Sequence, residues 1–466
     1  MIRWTLLIGL LVLSGCSSEK EPGSEKINAA LASESSASEK SKMFSLDSSS
    51  FTTQVGIMAY TSLSRANQAA QFLDNKLASF MHHPNPATQS EVQQAWRIAY
   101  DRFLASLIYS YIPIKDPVEW QKQRMTYQNL LIQLDSWPIE GGYLDYVEGY
   151  PFSGIVNDLT LSINEQSIRA QHGFTDSSNA SLGYHALEFM LWGESSTNQV
   201  MRSAQDFVPQ ENTAPVPLSD AEQTLNNPHT DDFSAEQIPE ELTSEELTSD
   251  ESITAPIIVS QNHNRRRQYI QLISELLLKD IHSLQRRWEP SRGYYAQVLQ
   301  QGSDADVLRA AFIAAQDLLS EEILTKRFKL TSSEFSHSSH EDLLALLSGL
   351  ESWFKAEPIN LLENSVSEED SATVHSKRTK SEQAEGVQIE EQPRKKKVSY
   401  LYTLIKQKDE HTARKLVAAL KQTRTCMQTI SAARSNLDQC KQDTIQLLSH
   451  LRRAAKVLTV NLPALD

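Results

Sequence analysis

Between residues 91 and 107 the apolar side chains Val92, Ala95, Trp96, Ala99, Phe103 and Leu107 recur every three or four positions, which predicts a helix with one buried face. The same spacing runs from Tyr269 through Leu272, Leu276 and Ile281, from Leu343 to Leu350, from Leu401 to Leu420 and from Leu447 to Leu458. Alternating runs of the kind a half-buried strand needs are scarce. The chain is therefore expected to be all-α, with helices bundled on their apolar faces.

Two polar stretches interrupt this pattern. From Ser203 to Asn264 there is no Lys or Arg, while Asp and Glu together occur 13 times. That segment alone accounts for nearly all of the net charge of −15 carried by the 466 residues. The second stretch has mixed charge and ends in Arg394-Lys395-Lys396-Lys397. Neither carries enough apolar surface to offset the entropy of ordering it, so both are expected to be disordered insertions, at 208–262 and 365–397. They leave two helical blocks, 51–207 and 263–466. A chain with this acidic excess is a poor nucleic-acid binder, which needs clustered basic residues to neutralise phosphates.

The N-terminus carries an address. Arg3 precedes an apolar run from Trp4 to Leu13, too short for a comfortable permanent membrane span, so residues 1–15 are expected to be an export signal. Leu13-Ser14-Gly15-Cys16 resembles the lipobox of bacterial lipoproteins, in which the cysteine becomes the lipid-bearing N-terminus. Ser17 follows, with no aspartate to retain the protein at an inner membrane. In a Gram-negative bacterium this implies an outer-membrane lipoprotein facing the periplasm, touching the membrane only through its lipid. Residues 16–50, rich in Ser, Glu and Lys, are expected to form a disordered tether.

With Cys16 lipidated, the mature chain keeps Cys426 and Cys440. On one continuous helix their 14-residue separation would be about 21 Å, beyond disulfide reach. A bridge between them requires a turn, expected near Ser435 to Asp438.

The densest set of reactive side chains lies in Ser181-Leu182-Gly183-Tyr184-His185-Ala186-Leu187-Glu188-Phe189-Met190-Leu191-Trp192-Gly193. On a helix His185 and Glu188 share a face, where an imidazole and a carboxylate can hold one metal ion or can satisfy each other as a core pair. Spacing alone allows both. Neither zincin pattern is present, because Phe189 follows the glutamate.

Gly183-x-His185-x-x-Glu188 followed by Leu191-Trp192-Gly193 resembles the signature of the imelysin family, bacterial envelope proteins first described as insulin-cleaving metallopeptidases and also linked to iron uptake. Ser136-Trp137-Pro138-Ile139-Glu140 and Tyr143 to Gly149 resemble a second family block. Arg202, Asp206-Phe207, Arg265-Arg266-x-Gln268-Tyr269 and Phe335 to Asp342 fit further ones, and Leu319-Ser320, Glu322 and Arg327 fit more loosely.

This resemblance implies two four-helix-bundle halves related by internal duplication and packed side by side, with the signature near their interface. It implies His185 and Glu188 as metal ligands, with Glu140 and Asp145 as further ligands or orienting partners. Ser336, His340 and Asp342 would be the second bundle's contribution to the same cleft. Trp137, beside Pro138, and Trp192, before Gly193, are expected to pack rather than react.

The chain also departs from the family pattern. Gly141 stands where a second acid often follows Glu140, Leu107 where a glutamate is common, and His337 where an acid is usual. Missing oxygen ligands would weaken the hold on a hard cation such as ferric iron. Three functions follow, in this order: a binding protein for iron, zinc or a metal-bearing small ligand; a scaffold with a decayed site; and a metallopeptidase. The last is disfavoured because Glu188 is poorly placed to be both ligand and general base. No protein partner is identified.

Overall fold

A computed structural model describes residues 48–194, 202–210, 262–354, 401–430 and 435–465. Cys16, the export signal, most of the tether, and most of both expected insertions lie outside these residues. Among them are thirteen α-helices and no strand, apart from one isolated bridge between Val147 and Tyr150. The all-α expectation holds.

The helices are α1 (Ser48–His82), α2 (Pro86–Ser106), α3 (Val118–Lys122), α4 (Tyr127–Leu134), α5 (Glu165–Gln171), α6 (Gly183–Trp192), α7 (His263–Arg287), α8 (Tyr294–Gln301), α9 (Asp304–Asp317), α10 (Ser339–Ser352), α11 (Leu401–Lys408), α12 (Glu410–Met427) and α13 (Leu437–Val457). Local signals set several starts. Asn85 caps α2, accepting from the N–H groups of Ala87 and Thr88 ahead of which Pro86 occupies the first turn. Asp409 does the same for α12. The α9 helix runs on as a π-helix, Leu318–Arg327, whose wider turn aligns residues five apart.

Two rings of four packed helices organise the molecule. In the first, α1 packs on α2, α2 on α6, α6 on α7, and α7 back on α1. In the second, α9 with its π continuation packs on α13, α13 on α12, α12 on α10, and α10 on the π segment. Contacts of α2 with α10 and α1 with α9 join the rings, and one continuous apolar core runs through both.

The division between bundles differs from the expected one. Residues 263–466 were expected to form the second bundle, yet α7 closes the first. Its buried Tyr269, Ile270, Ile273 and Leu277 lie on the inward face. Three consecutive arginines then fix its start: Arg265 donates to the carbonyls of Val156, Asp158 and Leu161, Arg266 to Asp145, and Arg267 to the carbonyls of Met81 and Phe207. Carbonyl oxygens left free by the loops of the first block are satisfied in this way by the second.

Cys426 and Cys440 are disulfide-bonded, with Cα atoms 5.4 Å apart. The turn this requires lies between the end of α12 at Met427 and the start of α13 at Leu437.

A buried polar cluster at the seam of the two bundles

The α6 helix is the structural centre of the first bundle, and all ten of its residues are buried. Its first residue explains the glycine of the signature. Gly183 has φ +89°, and a Cβ there would come within 2.4 Å of the Gln133 carbonyl oxygen and 2.5 Å of that of Leu134. Only glycine lets the start of α6 press against the end of α4. Asp135 caps that end and is thereby brought to His185.

His185 is held on both sides. Its Nδ1 lies 2.7 Å from Glu188 Oε2, and its Nε2 lies 3.2 Å from Asp135 Oδ1 and 3.0 Å from the Tyr100 hydroxyl of α2. Burial alone would lower the imidazole pKa, but the hydrogen bonds to Asp135 and Glu188 outweigh it and raise the pKa to about 9. The ring is therefore a doubly protonated imidazolium at neutral pH, donating from both nitrogens.

The second bundle supplies the rest. Glu188 Oε1 accepts from Ser336 N at 2.8 Å and Ser336 Oγ at 2.7 Å. Arg327, at the end of the π segment, donates to Asp135 Oδ2 at 2.7 Å, to the Tyr100 hydroxyl at 2.8 Å and to Glu322 Oε1 at 2.7 Å. The π turn is what permits the last bond, because residues five apart face away from each other on an α-helix. Tyr100 donates onward to Asp135 Oδ1 at 2.7 Å. Burial raises the Asp135 pKa less than Arg327 and His185 lower it, so this carboxylate stays ionised. Burial pushes the Tyr100 hydroxyl well above its usual pKa, so it keeps its proton.

The expected site residues divide into those at this cluster and those away from it. His185, Glu188 and Ser336 are joined directly. Asp342 stands at its edge, 3.8 Å from Arg327, accepting from Ser332 and Ser333, with a pKa pushed up by burial to about 6. The half-buried Trp137 lies under the Arg327 guanidinium, 4.4 Å from ring to cation, and is followed by exposed Pro138 after a cis bond. Trp192 packs edge-on against Trp96 at 5.4 Å, and Gly193 ends α6 at φ +75°.

The other expected ligands do not join His185. Asp145 is fully buried, but Arg202 and Arg266 take its carboxylate oxygens at 2.7 and 2.5 Å. Glu140 is exposed, and its backbone N–H bonds to Ser178. His340 is partly exposed and approaches Glu341 at 4.0 Å. The glycine at 141 has a steric cause: a Cβ there would come within 2.3 Å of the Phe189 ring.

Four members of the cluster carried little or no signal at the level of single motifs. Tyr100 lies four residues after Trp96 on the stripe already assigned to the core, and Asp135 directly precedes the Trp-Pro block. Glu322 and Arg327 have a spacing that a 3.6-residue period does not pair.

Residues 59–454 match the profile of the family Imelysin, classed among peptidases. The chain belongs to the imelysin family. A search of curated proteins gives no match. Among solved structures, this imelysin is similar to one described as an iron-regulated protein A precursor from Parabacteroides distasonis, with 12% identity and a TM-score of 0.49, the match covering 88% of this chain and 95% of that one.

The cluster of this imelysin does not fit a resident metal ion. Both imidazole nitrogens are hydrogen-bonded to carboxylates, both oxygens of Glu188 are engaged, and the Arg327 guanidinium lies against Asp135 and Tyr100 where a cation would otherwise be needed. Among the described residues no three His, Cys, Asp or Glu side chains are grouped so as to hold an ion. The chemistry available is that of a closed, charge-paired hydrogen-bond network spanning both bundles.

Proposed function

We propose that this imelysin is a lipid-anchored binding protein of the bacterial envelope, held at the outer membrane by Cys16 and facing the periplasm, that takes iron in the form of a metal-bearing small ligand and does not cleave peptides. The observation that carries this is the double engagement of Glu188, which accepts from His185 through one oxygen and from Ser336 of the other bundle through the other. A carboxylate used in this way is not free to hold a metal or to serve as the general base of a hydrolase. It ties together the two bodies between which a ligand would be bound. The association with iron rests on the family. No described helix is long and apolar enough to cross a membrane, which suits attachment by lipid.

Equilibrium dialysis of the mature chain against ferric citrate, with zinc chloride as comparison and bound metal counted by mass spectrometry, tests this function. Retention of iron from ferric citrate well above that of zinc is expected. Retention of neither would leave a scaffold as the remaining function. Cleavage of an unfolded protein substrate that disappears in Glu188→Gln would establish the peptidase instead.

A further inference from the structure

The α12–α13 hairpin turns Leu416, Leu420, Leu447 and Leu451 inward and a basic surface outward. Arg414, Lys415 and Lys421 on α12 and Arg453 on α13 are exposed, as is Lys456 one turn further along. None of the five takes part in an ion pair among the described residues, whereas Arg424 of the same hairpin is turned in to Glu351 at 2.5 Å.

Two of these cations, Lys415 of α12 and Arg453 of α13, meet across the hairpin beside His450. His450 on α13 has its pKa lowered by burial and by the nearby charges of Lys415 from α12 and Arg453 from α13. The acids of the hairpin lie at its ends or in its interior, with only Glu410, one turn before Arg414, on the basic face. Asp409 caps α12, Glu410 and Asp438 lie in the first turns, and Asp443 is buried, accepting from Gln422 and Gln439. Val417 and Ile445, 38% and 42% exposed, set apolar side chains on the outward sides of the same two helices. The disulfide between Cys426 and Cys440 ties the helices at one end, so the pattern sits on a covalently closed hairpin.

We infer that this hairpin face is a docking surface for anionic phospholipid headgroups. Flexible cations and scattered apolar groups on a rigid face suit a bilayer surface, where the cations reach phosphates and the apolar groups enter the interface. The patch is opposite in sign to a chain whose net charge is −15, so the attraction is local and falls off within a Debye length of about 10 Å at 0.1 M salt. The inference goes beyond the proposed function and does not depend on the lipid at Cys16, although that anchor would hold the face within reach of a leaflet.

The described helices begin at Ser48, so a lipid-free chain starting at Ser17 keeps the face. Flotation of that chain with vesicles of phosphatidylcholine alone, or mixed with phosphatidylglycerol, reads the interaction. Binding is expected only to the mixed vesicles, with loss at high salt. The double variant Lys415→Glu/Arg453→Glu is expected to weaken it by at least about 25-fold, each basic residue contributing about fivefold, while its melting temperature stays that of the wild type. Equal binding to both vesicles, or no effect of the double variant, would overturn the inference. So would binding that appears only after residues 211–261 are deleted, since the acidic stretch would then be the occupant of the face.

Discussion

Glu188 on α6 and Ser336, three residues before α10, share two hydrogen bonds across the seam of the bundles, from the Ser336 amide at 2.8 Å and its hydroxyl at 2.7 Å. A buried carboxylate gains more from such bonds than a neutral acceptor, about 1.5–3 kcal/mol each. Ser336→Ala removes one bond and leaves the other. Urea denaturation is expected to report a loss of about 2 kcal/mol, and Glu188→Ala, which strands the His185 charge, about 3–5 kcal/mol.

Gly183→Ala tests how the signature is positioned. Its Cβ would meet the Gln133 and Leu134 carbonyl oxygens at 2.4 and 2.5 Å on a backbone of φ +89°. Relief requires α6 to withdraw from α4, which carries Asp135 away from His185. A loss of about 3 kcal/mol is expected. A stability equal to wild type would mean that the close approach does not exist.

Replacing Arg327 by Met strips the buried guanidinium from Asp135 and Glu322, leaving only His185 against the first and half-exposed Lys326 against the second. Removal of one partner from a buried ion pair costs about 3–5 kcal/mol, and thermal unfolding should show a loss of that order. Lys326→Met, which removes a half-exposed partner of the same Glu322, is expected to cost less than 1 kcal/mol, about the value of a surface pair.

The all-α class and the buried faces were legible in the sequence, because apolar spacing of three and four is a local property, while the place of the signature near the bundle interface was implied by the family resemblance. The turn between Cys426 and Cys440 followed from helix length alone. The assignment of α7 was not legible, since its apolar stripe suits either bundle and the choice is made by Arg265, Arg266 and Arg267 reaching distant carbonyls. The family resemblance implied Asp145 as a further ligand or an orienting partner of His185. Its real partners, Arg202 and Arg266, lie 57 and 121 residues away. Arg327 fits the family pattern only loosely, and the π turn that pairs it with Glu322 leaves no trace in a helical period.

Stability should carry the titration of His185. Its folded pKa of about 9 lies above the unfolded value near 6.5, so the stabilisation is full below about pH 6.5 and is lost as pH rises through 9. The size is on the order of 3 kcal/mol. Asp101 and Asp342, which burial pushes up to about 7 and about 6, lose their stabilisation in the same direction as pH rises, but those losses are over by about pH 8. The interval from about pH 8 to 9 therefore belongs to His185. Wild-type stability should fall there, and His185→Gln should flatten the curve.

The protonation of His185 itself is the most direct test, because a metal ligand must give up a ring proton and a bridge between Asp135 and Glu188 keeps both. Nitrogen-15 NMR of histidine-labelled chain at pH 7.5, with His185→Gln to assign the resonance, reports the state of each ring nitrogen. Both should be protonated and unchanged by chelator, ferrous iron or zinc. A neutral ring, or a nitrogen shift that saturates at one equivalent of metal, would contradict a metal-free link between the bundles.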